Sequence, residues 1–144
     1  MDRILEERQE IIDNIKLIDC GEDTEEILKV LMQTDNDILK YITQIKVYQE
    51  KSVPNQNSWG TTTSLSYGRK LHHSKIELVA SKFRSEKFFF TRTLKHEIGH
   101  VKGRMISPEC GNSEIFANNY AKDPDNVVPS LWIRIKSFIF GINL

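Results

Sequence analysis

Isoleucine residues recur at helical spacing at the start of the chain. They are Ile4, Ile11, Ile15 and Ile18. This spacing predicts a helix over residues 3–18, followed by Gly21 as a stop signal. A second helix is expected from Asp23, which with Glu26 resembles a capping box. The chain therefore begins with helices that each bury one apolar face.

Residues 36–49 fit either a helix or a strand. Three helically spaced isoleucines favour a helix, whereas the β-branched and aromatic residues of 41–48 are typical of a strand. We predict a helix here and keep the strand as the alternative. The polar, turn-forming stretch from Ser52 to Gly60 then predicts a surface loop.

Short strands are predicted after this loop, where β-branched and apolar residues are enriched. Their ranges are 61–66, 70–73 and 75–80, and Tyr67–Gly68 supplies a turn between the first two. Together they would form a small three-stranded sheet.

Apolar residues at helical spacing recur after the predicted strands. The apolar stripe consists of Phe90, Leu94, Ile98 and Val101. Ser85–Glu86 is typical of a helix start, and Lys102–Gly103 is typical of a helix end. This pattern predicts a helix with one buried face.

A further helix is predicted between two boundary signals. Asn112 or Ser113 can cap its start, and Asp123–Pro124 ends it. Ala117 and Ala121 give it a smooth face, which would allow tight packing on the preceding helix. These two helices are therefore expected to lie against each other.

The C-terminal stretch from Val127 is the most apolar part of the chain. Leu131, Ile135 and Phe138 predict an amphipathic helix, and Pro129 suits its start. We interpret this helix as packing on the core. The alternatives are that it covers a functional cleft, as a self-inhibitory segment, or binds a partner.

The length predicts one domain over residues 1–144, and the predicted helices and strands make it α+β. A formal net charge of zero gives no footprint for nucleic acid or a membrane. Residues 1–50 hold 13 acidic and 6 basic side chains, and the remainder holds 7 acidic and 14 basic. We interpret these as mutually attracting surfaces; the alternative is that the basic part binds an acidic substrate.

Targeting and redox signals favour a cytoplasmic protein. No run of the sequence has the character of a signal peptide or a transmembrane helix. Cys20 and Cys110 do not make a disulfide framework, which suits a reducing compartment.

The motif His-Glu-x-x-His spans His96 to His100 within the predicted helix. Positions i and i+4 lie on one helix face, so His96 and His100 can offer two imidazole nitrogens to one metal ion. Glu97 is placed to take a proton from a water on that metal. The pattern predicts a zinc site with Glu97 as the general base.

A catalytic zinc site needs a third protein ligand. We predict Glu114, because the first turn of the next helix would hold it rigidly. Asn118 lies one turn later on the same face and is expected to hold a ligand histidine by a hydrogen bond. Glu109 is the rival ligand, and Cys110 is interpreted as an ordinary thiol.

Two other interpretations of the histidines are set aside. The metzincin motif requires a third histidine where this chain has Ile106, and no methionine follows Met105. His72 and His73 point to opposite faces of a predicted strand, so both cannot bind one ion. We treat them as surface residues.

The motif together with Glu114-x-x-Ala117 resembles the gluzincin zinc peptidases, and the longer match through Ala121 resembles the ImmA/IrrE-type peptidases. The resemblance covers roughly residues 75–123. It implies a zincin-like fold, one zinc per chain held by His96, His100 and Glu114, and hydrolysis of an intracellular protein such as a repressor. It also implies that residues 75–80 are an edge strand that binds the substrate.

Two functions therefore follow as hypotheses. The first is a zinc endopeptidase in which Glu97 is the base and Tyr67 or Tyr120 stabilises the oxyanion. The second is a latent or catalytically silent zinc-binding regulator. The presence of Glu97 favours the enzyme, since a silent protein has no chemical need for it.

Overall fold

A computed structural model describes residues 3–54 and 58–142 as an α+β arrangement. Its helices are α1 (Arg3–Asp13), α2 (Thr24–Met32), α3 (Asn36–Leu39), α4 (Lys87–Ile106), α5 (Pro108–Gly111), α6 (Glu114–Lys122) and α7 (Leu131–Ile142). Its strands are β1 (Lys16–Ile18), β2 (Ile42–Tyr48), β3 (Gly60–Tyr67) and β4 (Lys70–Val79). Of the predicted loop, residues 55–57 lie outside the described part of the chain.

The sheet has four strands in the order β1-β2-β4-β3, so the prediction of three strands is wrong. β1 and β2 are parallel, β2 and β4 are parallel, and β3 runs antiparallel to β4. The predicted strands 70–73 and 75–80 are one continuous strand, β4. Because β4 lies between β2 and β3, residues 75–80 are not an edge strand; the strand at that edge is β3.

The two extra strands come from segments predicted to be helical. The helix predicted over residues 3–18 ends at Asp13, and β1 follows it. Residues 36–49 split into the short helix α3 and the interior strand β2. Ile42, Ile45 and Val47 of β2 are buried between its neighbours, so sheet packing outweighs the helical spacing of the two isoleucines.

The capping box predicted at Asp23 does not form. The Asp23 carboxylate is buried and accepts hydrogen bonds from the backbone N–H of Ser81, at 2.9 Å, and from the Ser81 hydroxyl. Asp23 therefore ties the start of α2 to the turn that follows β4. This contact helps to fix the chain just before α4 begins.

Helix α4 continues through Lys102–Gly103, so the predicted stop there is wrong. Gly103 serves packing: a Cβ at this position would lie 2.6 Å from the carbonyl oxygen of Cys110. The missing side chain lets α5 lie directly against the last turns of α4.

We expect Gly103→Ala to lower the free energy of unfolding by about 1–3 kcal/mol, as overpacking does. At an exposed helical glycine the same substitution has the opposite effect, since alanine there raises the free energy of unfolding by up to about 1 kcal/mol. Gly141→Ala is the matched control, because among the described residues no atom beyond its own helix backbone and chain neighbours lies within 4 Å of its added Cβ. Chemical denaturation of both variants tests this, and a Gly103→Ala protein as stable as the wild type would contradict the close packing.

The predicted C-terminal helix is present as α7, but it does not complete the core. Leu131 and Phe138 are 72 % and 70 % exposed. The helix is attached beside α5, where the Ser137 hydroxyl donates to Ser107 Oγ at 2.7 Å. Within residues 3–54 and 58–142, no helix is long and apolar enough to cross a membrane.

Candidate metal centre

The candidate metal centre lies where α6 crosses α4. Gly99 permits a close crossing, because a Cβ there would lie 2.9 Å from Cα of Ala117. Ser113 caps α6 by accepting a hydrogen bond from the backbone N–H of Phe116 at 3.0 Å. The cap and the crossing hold Glu114, the first residue of α6, against the two histidines of α4.

The side chains of His96, His100 and Glu114 converge. Nε2 of His96 lies 2.9 Å from Oε2 of Glu114, and Nε2 of His100 lies 3.0 Å from Oε1. The two Nε2 atoms are 3.2 Å apart. Among the described residues these three form a group whose ligand atoms lie within 4.8 Å of one another, as predicted for a metal site.

The hydrogen bond at the far side of His100 determines which ring nitrogen carries a proton in the neutral form. Its Nδ1 lies 2.8 Å from the carbonyl oxygen of Gly111. A carbonyl only accepts, so Nδ1 carries the proton and Nε2 of the neutral ring is an acceptor. That acceptor faces a carboxylate oxygen of Glu114, and a cation bound between the two would relieve their repulsion.

A tetrahedral zinc ion suits this donor set. Zinc–nitrogen distances of about 2.0–2.1 Å place two ligand atoms about 3.3 Å apart in a tetrahedral site. The observed separations between the ligand atoms of His96, His100 and Glu114 lie within half an ångström of that value. Two imidazoles and one carboxylate are also a typical set of catalytic zinc ligands.

Glu97 lies beside this group in a buried setting and is only 5 % exposed. The Thr62 hydroxyl of β3 donates to its Oε1 at 2.8 Å. Burial raises the pKa of the Glu97 carboxyl, while the Thr62 hydrogen bond and both histidines oppose that rise. Gly60 lets β3 pass close by, since a Cβ there would lie 3.2 Å from Cγ of Glu97.

A cleft of roughly 790 Å³ opens over the metal ligands. One wall is β3, which pairs only with β4 among the described strands and so leaves its outer edge unpaired. None of the lining residues belongs to α7, so the C-terminal helix leaves the cleft open. The predicted self-inhibition therefore has no support in this arrangement.

Three residues that were predicted to assist the site are not positioned as expected. Asn118 lines the cleft, but within the described residues its side chain makes no hydrogen bond to a histidine, and Gly111 orients His100 instead. Neither candidate tyrosine lines the cleft. Tyr67 is 69 % exposed at the end of β3, and Tyr120 is buried in the core.

The rival ligands lie outside the group of His96, His100 and Glu114. Glu109 binds Arg69 at 2.6 Å, and this guanidinium holds the pKa of the Glu109 carboxyl below its usual range. Burial raises the pKa of the Cys110 thiol to about 11, which disfavours a thiolate ligand. Nδ1 of His72 lies 2.7 Å from Nδ1 of His73 on β4, so the prediction that the two side chains point to opposite faces is wrong. Neither residue lines the cleft.

Three arginines that line the cleft were missed from the sequence: Arg84, Arg92 and Arg104. A signal for two of them was present. Arg92, His96, His100 and Arg104 are spaced by four residues along α4, which places them on one helix face.

We expect Glu114→Gln to weaken zinc binding by at least about tenfold, because the neutral amide loses the charge that faces the cation. Glu109→Gln is the matched control and should leave zinc affinity unchanged, since its carboxylate binds Arg69. Competition with a zinc-sensitive dye measures both. Zinc release by Glu109→Gln but not by Glu114→Gln would show that the third ligand is misassigned.

No protein-family model, curated protein or solved structure matches this chain. What the chain does is therefore inferred from its own side chains. The most informative of them are the two histidines and two glutamates at the crossing of α4 and α6.

Proposed function

We propose that this chain is a zinc-dependent endopeptidase of the gluzincin type, similar to the ImmA/IrrE-type peptidases. One observation carries the proposal. The side chains of His96, His100 and Glu114 converge within 2.9–3.2 Å, beside the buried carboxylate of Glu97. Two imidazoles and a carboxylate are a ligand set that zinc favours, and the side chain of Glu97 has the chemistry of a general base.

His96, His100 and Glu114 would hold the zinc ion. When bound, zinc supplies a Lewis acid that polarises the scissile carbonyl and lowers the pKa of the attacking water. The Gly111 carbonyl keeps the Nε2 lone pair of His100 turned towards the metal position. The ligands therefore need little rearrangement on binding.

Glu97 would transfer a proton from the attacking water to the leaving amine. The Thr62 hydroxyl engages Oε1, and Oε2 would then accept the proton of the attacking water. The same carboxyl then delivers the proton to the leaving amine. Because Glu97 is buried, bulk water competes little for this proton.

The outer edge of β3 would bind the substrate as an added strand. Its backbone groups are unpaired on that side among the described strands, and β3 forms the wall of the cleft beside Glu97. Main-chain pairing of this kind holds an extended peptide with little demand on its sequence. An unstructured segment of a protein is therefore the expected substrate.

The alternative is a catalytically silent zinc-binding regulator. Such a protein needs the three ligands but has no use for a buried carboxylate anchored by Thr62. The arrangement around Glu97 therefore favours the enzyme.

The test is to incubate zinc-loaded protein with an unstructured protein such as casein and to identify new N-termini by mass spectrometry. We expect fragments that a chelator abolishes and added zinc restores. Zinc content measured on the same samples separates loss of metal from loss of chemistry. Fragments that persist after the metal has been removed would contradict the proposal.

A further inference from the structure

The cleft has cationic side chains at both ends. Arg92 and Arg104 lie one turn before His96 and one turn after His100, on the face of α4 that lines the cleft. Arg84 joins Arg92 at the first end, where its guanidinium lies over the ring of Trp59 at 4.2 Å and the ring of Phe89 at 5.4 Å. The metal ligands lie between these two ends.

Two of these arginines lack a partner that their charge requires. Among the described residues, Nη1 of Arg84 and Nη1 of Arg104 are the buried side-chain nitrogens with no hydrogen-bond partner. Arg104 donates through Nη2 to Ser66 Oγ at 2.7 Å, a neutral acceptor. A buried donor without a partner is unfavourable, more so when it carries charge.

The carboxylates in and beside the cleft already contact groups other than Arg84 and Arg104. Glu97 accepts from Thr62, and Glu114 faces both histidines. Glu109, the carboxylate nearest in sequence to Arg104, binds Arg69 instead. The cleft therefore has unmet positive charge at both ends, and a bound metal cation increases it.

We infer that the cleft selects peptide segments with acidic side chains on both sides of the bond to be cleaved. This inference rests on the proposed peptidase function for the identity of the ligand. Guanidinium groups bind carboxylates through paired, charge-assisted hydrogen bonds, which matches the unused donors of Arg84 and Arg104. Both Nη1 atoms are covered by protein atoms, so their pairing with a carboxylate requires the two side chains to swing outwards.

The length of the cleft sets the spacing of these acidic residues. Arg92 and Arg104 are 12 positions apart on α4, about 18 Å along the helix axis. An extended peptide spans about 3.3–3.6 Å per residue, so roughly five residues bridge this distance. The acidic side chains are therefore expected two to three residues to either side of the cleaved bond.

The test uses zinc-loaded Glu97→Gln protein, which keeps the metal ligands and removes the general base. The first probe is a fluorescein-labelled peptide whose central bond joins two apolar residues and which has glutamate two and three residues to either side of that bond. The second probe is the same peptide with glutamine at those positions. We expect the glutamate peptide to bind at least about tenfold more tightly by fluorescence anisotropy. The difference should shrink as salt is raised.

Variants in the same background assign the preference to the cleft. Arg84→Gln and Arg104→Gln should each reduce binding of the glutamate peptide and leave the glutamine peptide unaffected. Arg134→Gln is the matched control, because it removes one positive charge from exposed α7 and does not line the cleft. Circular dichroism checks that each variant is folded. If an arginine variant does not fold, the comparison of the two peptides still tests the inference, because it uses no arginine variant.

Equal binding of the two peptides, or binding of neither, overturns the inference. Hydrolysis of both peptides by the wild type is measured in parallel to separate the two proposals. Hydrolysis without a preference for glutamate leaves the peptidase proposal intact and overturns this one. Preferential binding without any hydrolysis supports the cleft as a site for acidic peptides and contradicts the peptidase proposal.

Discussion

Glu97→Gln is expected to lower the rate of peptide hydrolysis by about 10²- to 10⁴-fold, the usual contribution of a general base. The amide keeps the shape of the side chain and its contact with the Thr62 hydroxyl, but it cannot take a proton. Zinc content should stay at about one ion per chain, because the substitution leaves His96, His100 and Glu114 in place. Initial rates on a quenched fluorescent peptide, with elemental analysis of the same samples, measure both quantities.

Glu86→Gln is the matched control for this variant. Glu86 precedes α4, is exposed, and makes no capping hydrogen bond with its side chain. The control makes the same chemical change next to the same helix and should leave the rate unaltered. A Glu97→Gln protein that hydrolyses the peptide at the wild-type rate would remove Glu97 from the chemistry.

The double variant His96→Ala, His100→Ala is expected to lose zinc and all zinc-dependent hydrolysis. Removing two of three ligands should weaken binding by far more than the about 10- to 100-fold typical of lost supporting contacts around a metal. Zinc should also stop raising the melting temperature. Binding only to the folded state stabilises it by about 4 kcal/mol when free zinc is a thousand times the dissociation constant.

The chain provides its own control for this double variant. His72 and His73 are the other two of its four histidines, and they lie on β4 outside the metal group. His72→Ala, His73→Ala should bind zinc and gain thermal stability from it as the wild type does. The site assignment fails if His96→Ala, His100→Ala retains stoichiometric zinc.

The candidate site was predictable because its signals are local. His96 and His100 lie one helical turn apart, so any helix there brings them to one face. Ser113 marks the start of α6 and therefore places Glu114 in its first turn. Ala117 indicates the tight crossing that Gly99 completes.

The contacts that orient these residues were not predictable in the same way. His100 is oriented by the backbone carbonyl of Gly111, and a backbone group has no signature in a sequence. Thr62 reaches Glu97 only because β3 lies at the sheet edge beside α4, and strand order is decided by tertiary packing. Asn118 has the right spacing along α6 but lies at the cleft without a hydrogen bond to His100 or His96.

The fold was predictable as α+β, but its sheet was not. Ile42 and Ile45 have a spacing that suits a helix, and β2 forms because β1 and β4 cover it on both edges. The apolar stripe of α7 correctly predicted a helix but not its environment. Amphipathic spacing is the same whether a helix packs on the core or presents its apolar face outwards, as Leu131 and Phe138 do.

Titration of zinc into metal-free protein, with bound zinc and hydrolysis of an unstructured peptide followed together, tests the central claim most directly. The proposed site at His96, His100 and Glu114 predicts that both signals rise together and level off at about one zinc per chain, as a single three-ligand site requires. Saturation of binding at one zinc with no hydrolysis would contradict the peptidase. Hydrolysis that does not depend on zinc would contradict it equally.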